Sequence, residues 1–286
     1  VDHRAETRTF LQSRRAKITP EQAGLFAGGE RRVAGLRRGE VAMLAGVSVE
    51  YYTRMERGHL GGVSEGVLDA IARALRLDDA ERAHLFDLAR AANTTAARRR
   101  KPVQPTVRPS VQRILDALTR VPAFVRNNRF DIVATNSLGR ALYSEMFAGS
   151  VGSVNILRFI FLDSRATRFY VDWERNARNS VGALRVEVGK NLHDRELSNV
   201  VGELATQSDA FRTMWAEHDV HVYLPGAKRV RHPDVGELEL AHEIMALPGD
   251  EGLVMCTYSA EAGSASEDGL KLLESWSATT GSAGHR

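Results

Sequence analysis

The stretch from Arg37 to Gly58, RRGEVAMLAGVSVEYYTRMERG, restricts more than any other what this chain can fold into. Val41, Leu44 and Ala45 recur at helical spacing, Gly46 breaks that period, and a second period runs through Tyr52 and Met55. The pattern predicts two short helices joined by a tight turn. Ser48 is a good N-cap for the second, because its hydroxyl can accept from a free backbone N–H two or three residues on, and Gly58 marks the stop. Ala45 is small enough to let the helices cross closely, and Val47 plugs the angle between them. Tyr52 and Met55 should then be buried against Val47 and Leu44. Such a unit is a helix-turn-helix, whose second helix enters the major groove of DNA. Val49, Glu50, Tyr51, Thr53 and Arg54 are left to face the groove, with Ser48 at the helix start counted among the contacting residues. Arg54 suits guanine O6 and N7, Glu50 suits cytosine N4, and Val49 or Thr53 suits a thymine methyl. Arg37, Arg38 and Arg57 are placed for phosphates. The competing reading is an αα-hairpin used only for protein contact.

Charge agrees with the motif. Residues 1–107 carry 19 Lys and Arg against 13 Asp and Glu, while residues 108–286 carry 20 against 23. A positive end favours phosphate contacts and counterion release, and the mildly acidic remainder has no such reason to approach a polyanion. The single Cys256 cannot form an internal disulfide, no cysteine-rich metal pattern exists, and no run of about 18 apolar residues is present to span a bilayer. The expectation is a cytoplasmic protein, neither secreted nor embedded in a membrane, with no cofactor. Enzymatic motifs are missing as well: no Gly-rich phosphate loop after a strand, no G-x-S-x-G elbow, no H-E-x-x-H. His218, His221 and His232 fall in a strand and turn pattern, where hydrogen-bonded histidines are the commoner outcome than a metal site.

Along the chain, a first helix is expected over residues 6–15 with Phe10 and Leu11 buried, then an irregular connection holding Arg31 and Arg32. After the motif, Ser64 caps a helix with Val67, Leu68, Ile71, Ala72 and Leu75 at helical spacing. Asp78 to Glu81 has the capping-box pattern ahead of a fifth helix. Five helices make a compact all-α domain over residues 1–92. Residues 93–108, with three prolines nearby and the run RRRK at Arg98 to Lys101, read as a linker. From Pro109 a helix carries Val111, Ile114, Leu115 and Leu118. Strand patterns follow at AFVRN and FDIVATN, then helices, among them one long helix over residues 166–186, and then strands at DVHVYLP, KRVRHP, GELELAHEIMAL and GLVMCTYSAE. The fold class is therefore α+β: an all-α N-terminal domain, a second domain with an antiparallel sheet over residues 109–275, and a disordered tail over 276–286.

AGVSVEYYTRMERG closely resembles the recognition segment of Xre-type, lambda-repressor-like DNA-binding proteins. PAFVRNNRFDIVATN, NILRFIFLD, FYVDWE and RHPDVGEL resemble the MmyB-type regulators of actinobacteria, so the likeness extends from about Glu6 to Leu273. It implies an Xre-type domain followed by a PAS-like ligand-binding domain, hence a one-component transcription regulator. The implied partners are double-stranded operator DNA, bound as a homodimer, and a hydrophobic small-molecule effector, with a fatty acid as the best guess. Gly39 departs from the family pattern, in which a glutamate stands. Arg158, embedded in NILRFIF, is the candidate for the effector's polar end, because a guanidinium among apolar residues must be paired or face a bound polar group. Asn136, Asn155 and His232 are its candidate helpers, and Phe159, Tyr170, Trp173 and Trp215 candidate walls. The bland alternative for Arg158 is a salt bridge to Asp163, Asp172 or Glu174. Two other classes of function stay open for the second domain, a purely dimerising or protein-binding role and an enzyme with a DNA-binding appendage.

Overall fold

The computed structural model describes residues 3–25, 33, 35–93, 106–148, 152–191, 194–217 and 226–283. Most of the expected linker with its RRRK run, the Arg31 and Arg32 pair, the expected strand DVHVYLP, and His218 and His221 lie outside the described residues. The helices are α1 (His3–Lys17), α2 (Arg38–Ala45), α3 (Val49–Glu56), α4 (Glu65–Ala74), α5 (Asp79–Asn93), α6 (Pro109–Ala117), α7 (Ser137–Leu142), α8 (Ser144–Phe147), α9 (Ile156–Leu162), α10 (Ala166–Phe169), α11 (Trp173–Lys190), α12 (Arg195–Gln207), α13 (Asp209–Ala216) and α14 (Ala265–Ala283). The strands are β1 (Ala123–Arg126), β2 (Ile132–Thr135), β3 (Gly226–His232), β4 (Gly236–Ala246) and β5 (Val254–Ser259).

The chain forms two compact units. The first contains α1 to α5 with residues 181–202 and 212–217. Phe10 and Leu11 of α1, Val41 of α2, Tyr52 and Met55 of α3, Ile71 of α4 and Leu85 and Leu88 of α5 are buried in it. Helix α5 begins with the expected capping box, in which Asp78 Oδ1 accepts from the Glu81 N–H at 2.8 Å and Glu81 Oε2 from the Asp78 N–H at 3.1 Å. Ser64 stands at the N-cap of α4 but its side chain makes no capping hydrogen bond. Residues of α11 belong to the same core: the side chain of Arg185 is fully buried and its Nη1 lies 2.6 Å from Oε1 of Glu6 in α1.

The second unit is built on a five-stranded antiparallel sheet in the order β2-β1-β5-β4-β3. Strand alternation divides its faces. Ala123, Val125, Leu253 and Met255 point to α6 and pack on Val111 and Leu115. Phe124, Cys256, Tyr258, His242 and Ile244 stand on the opposite face, where α7 to α10 close over them. Ile114, expected in the buried stripe of α6, is 54% exposed instead.

Two element boundaries differ from the sequence reading. The expected long helix over 166–186 is broken between α10 and α11, because Tyr170 bridges to Val230 and the Val171 N–H donates to the Arg229 carbonyl at 3.1 Å. A pairing with β3 thus replaces one turn of helix. At the C-terminus, α14 runs on to Ala283, so the chain stays helical beyond Trp276, where a disordered tail was expected.

Candidate functional site

The helix-turn-helix is built as its sequence dictates. Gly46 takes the left-handed conformation, φ 66°, that ends α2, and Oγ of Ser48 accepts from the Tyr51 N–H at 3.1 Å to start α3. Tyr52 and Met55 are buried, and burial pushes the Tyr52 hydroxyl well above its ordinary pKa. Leu44 departs from expectation: it is 37% exposed, and Val41, Ala42 and Ala45 supply the inward face of α2. The outward face of α3 presents Val49, Glu50 and Arg54, with Tyr51 and Thr53 half-buried beside them.

A carboxylate holds α3 in place. Glu56 is buried at the end of the helix, accepts from Arg15 Nε of α1 at 2.6 Å, and also pairs with Arg38 of α2. A charge so far from water requires such partners. Arg38, a phosphate candidate, thereby has part of its guanidinium committed within the fold, whereas Arg57 is exposed, as is Arg37, whose backbone N–H donates to Glu40.

In the second unit the sequence-predicted residues are divided: Asn155, Arg158 and Phe159 line one open depression, and Tyr170 lines a separate cavity. Arg158 points outward from α9 and makes a bidentate pair with Glu203, Nη2 to Oε2 at 2.8 Å, so it bonds none of the acids expected of it; hydrogen bonding to Glu203 raises its pKa further. Asp163 pairs with Arg165 instead, which lowers its pKa. Asn136 caps α7, accepting from the Gly139 N–H at 2.7 Å while its amide donates to the Leu118 and Val121 carbonyls. Asn155 caps α9 and donates to Asp131. His232 Nε2 lies 3.0 Å from the Ala141 carbonyl, and its Nδ1 accepts from the Asp234 N–H. These three are buried and used by the backbone around them. Trp173 donates to the Ile160 carbonyl, Phe159 packs on Phe169 and Tyr170, and Trp215 lies 4.1 Å from the Arg185 guanidinium in the first unit. Of the eight candidates only Tyr170 lines the small aromatic cavity of the second unit.

That cavity, about 30 Å³, is walled by Phe124, Phe130, Tyr143, Met146, Ile156, Tyr170, Ile244 and Tyr258, and also by Arg126, Ser180, Lys228, His242 and Cys256. Two cations therefore face a largely aromatic interior. Arg126 is 8% exposed, ends β1 where its register with β2 shifts, and stacks 4.1 Å from the ring of Phe130. The register shift re-aims the strand, and Phe130 at φ 67° completes the turn that brings its ring back over the guanidinium. Nη1 of Arg126 donates to the Asn127 carbonyl at 3.1 Å, and among the described residues no carboxylate forms an ion pair with it. The Lys228 ammonium lies 5.6 Å from the Tyr258 ring and 5.9 Å from that of Tyr170. Burial, helped by Lys228 and Arg126, holds the His242 pKa down at about 2, so this imidazole is neutral at physiological pH. Burial also pushes the Cys256 thiol up.

Sequence reasoning did not single out Arg126 and Lys228, which the fold brings to one cavity. The usable signal was present in AFVRN, an arginine in an otherwise apolar strand whose four positions are all buried.

Comparison with known families agrees with both halves. Residues 13–85 match a helix-turn-helix domain, and residues 107–273 match the MmyB-like transcription regulator ligand binding domain. No curated protein matches the chain. Among the described residues no helix is long and apolar enough to cross a membrane. A helix-turn-helix followed by that domain is the make-up of a DNA-binding transcription regulator with a small-molecule effector. Since the second match spans more than half its length, the chain belongs to the MmyB-like transcription regulators.

Proposed function

We propose that this regulator binds its operator as a homodimer in the cytoplasm, on the nucleoid, and that its C-terminal domain senses a fatty-acid-like anion. It acts by binding rather than by catalysis. One short recognition helix reads only a few base pairs, and two-fold pairing doubles the site. Arg126 carries the ligand reading. A buried guanidinium that no carboxylate among the described residues faces calls for a counter-charge, and an anionic headgroup between Arg126 and Lys228 supplies it while the aromatic and aliphatic walls take a hydrocarbon chain. Arg126 thus takes the role that the sequence assigned to Arg158. A space of about 30 Å³ holds little more than water, so a chain enters only as wall side chains move.

Calorimetric titration with saturated acids of eight to sixteen carbons tests this. Each methylene buried should tighten binding about fourfold, from about 0.8 kcal/mol. Arg126→Gln should weaken every acid by roughly 1.5–3 kcal/mol, the worth of a charge-assisted hydrogen bond. Affinity that ignores chain length would remove the acyl reading, and unchanged affinity in Arg126→Gln would remove that residue from it.

The DNA half is tested on an operator selected from a random-sequence pool. Arg54→Ala should lose discrimination at one base position by about 1–3 kcal/mol, while Arg57→Ala should weaken all sequences alike and flatten the salt dependence. Equal losses on selected and random duplexes for Arg54→Ala would exclude that residue from base reading.

A further inference from the structure

Two spaces lie side by side in the second unit. One is the small cavity of about 30 Å³ at Arg126 and Lys228, and the other a wider depression of about 460 Å³ lined by Val154, Arg158, Phe159 and Leu162 among others. Met146 is the residue that lines both. It is buried, and it sits on the short helix α8, whose last turn closes at Ala148. An unbranched thioether with three rotatable bonds can change shape without moving the backbone, as none of the aromatic walls can. The charges at the depression neutralise one another: Arg158 is held by Glu203 and Arg165 by Asp163. Its apolar residues are what remains to receive a chain.

Building on the fatty-acid reading, we infer that Met146 is a movable partition between headgroup site and tail site, and that the side chain at this position sets the longest chain the domain accepts. The acid's carboxylate lies at Arg126 and Lys228. Its chain displaces the Met146 side chain and runs out over Phe159 and Leu162.

The inference is tested on the full chain in two ways, on Met146→Leu, Met146→Phe and Met146→Ala, each first shown to be folded by its unfolding midpoint. Cys256, the only cysteine, lines this cavity and is buried, so its rate of modification by methyl methanethiosulfonate reports how often the partition opens, whatever the natural ligand is. Opening by local motion should make Met146→Ala react about tenfold faster than the natural protein and Met146→Phe about tenfold slower, with Met146→Leu in between. Rates that equal global unfolding in every variant would overturn the partition. In the acid series, Met146→Phe should leave octanoate within about threefold of the natural protein and weaken hexadecanoate more than tenfold, since only the longer chain must pass. Equal weakening at all lengths would also overturn it. If no acid binds the natural protein, the fatty-acid reading fails, and the thiol rates still decide whether Met146 closes the cavity.

Discussion

Arg185→Ala is expected to destabilise the first unit by about 3–5 kcal/mol, the usual penalty for removing one partner of a buried ion pair. Neither side chain of the Glu6–Arg185 pair reaches solvent appreciably: Arg185 is fully buried and Glu6 is 4% exposed. The guanidinium is fixed from three sides, by Oε1 of Glu6 at 2.6 Å, by the Trp215 carbonyl, and by the Trp215 ring 4.1 Å away. Alanine removes all of this and leaves the carboxylate buried, with His84 Nε2 3.9 Å from the same oxygen. The desolvation of Glu6 is then no longer offset. Removing both charges together, in Glu6→Leu with Arg185→Met, should recover most of the loss, since apolar groups of similar volume often replace a buried pair at no cost. Urea unfolding of the full chain measures both variants. A loss below about 1 kcal/mol for Arg185→Ala would mean that the pair is solvated and behaves as a surface contact.

What the sequence disclosed and what it hid follow the range of the interactions. The helix-turn-helix was legible because its determinants are local: Ser48 caps three residues ahead, Gly46 ends a helix at its own position, and Tyr52 and Met55 share a face by spacing alone. Leu44 was misplaced because a helix of only eight residues leaves the width of its apolar stripe poorly defined, and the smaller Ala42 and Ala45 fill the close crossing instead. The acidic partner of Arg158 was missed for a related reason. Its flanking Ile156, Leu157, Phe159 and Ile160 were read along the chain, whereas in α9 the helical turn puts Arg158 on the outer side, within reach of Glu203.

The two cations that the ligand proposal uses were not singled out, because they meet only in three dimensions. Arg126 and Lys228 lie on β1 and β3, strands that neither neighbour one another in the sheet nor share a motif. Arg126 is aimed by a local shift of register that no composition or periodicity announces. Glu6 and Arg185 are 179 positions apart, so this buried ion pair had no signature in either local pattern. By contrast, the segments that form the five strands were placed by local pattern, although their order in the sheet was not. The fold was thus more legible than the site, since patterning reports which face is inside and says little about which side chains converge there.

Gly58→Ala is expected to cost about 2–5 kcal/mol, and it bears directly on DNA binding because Gly58 lies just after the recognition helix α3. Its φ is 94°, a conformation in which an L-side chain is strained by roughly 1–2 kcal/mol. Steric contact adds to this. A Cβ placed on Gly58 would stand 2.5 Å from the carbonyl oxygen of Arg4 and 2.6 Å from its Cα, both backbone atoms of α1 that cannot swing aside as a side-chain tip would. Forcing α1 away would disturb Phe10 and Leu11 and pull Arg15 from Glu56, the pair that anchors the end of α3, and such overpacking typically costs a further 1–3 kcal/mol. Gly62→Ala provides the comparison. Gly62 has φ 76° but no atom within 4 Å of the position its Cβ would take, so that variant meets the conformational strain alone, about 1–2 kcal/mol. The difference between the two in urea unfolding therefore isolates the close approach of α1 to the chain after α3. Operator affinity should fall with stability in Gly58→Ala and stay near that of the natural protein in Gly62→Ala at temperatures where both are folded. Equal destabilisation by the two substitutions would show that α1 yields at Arg4, and that the seating of α3 rests on Tyr52, Met55 and Glu56 without it.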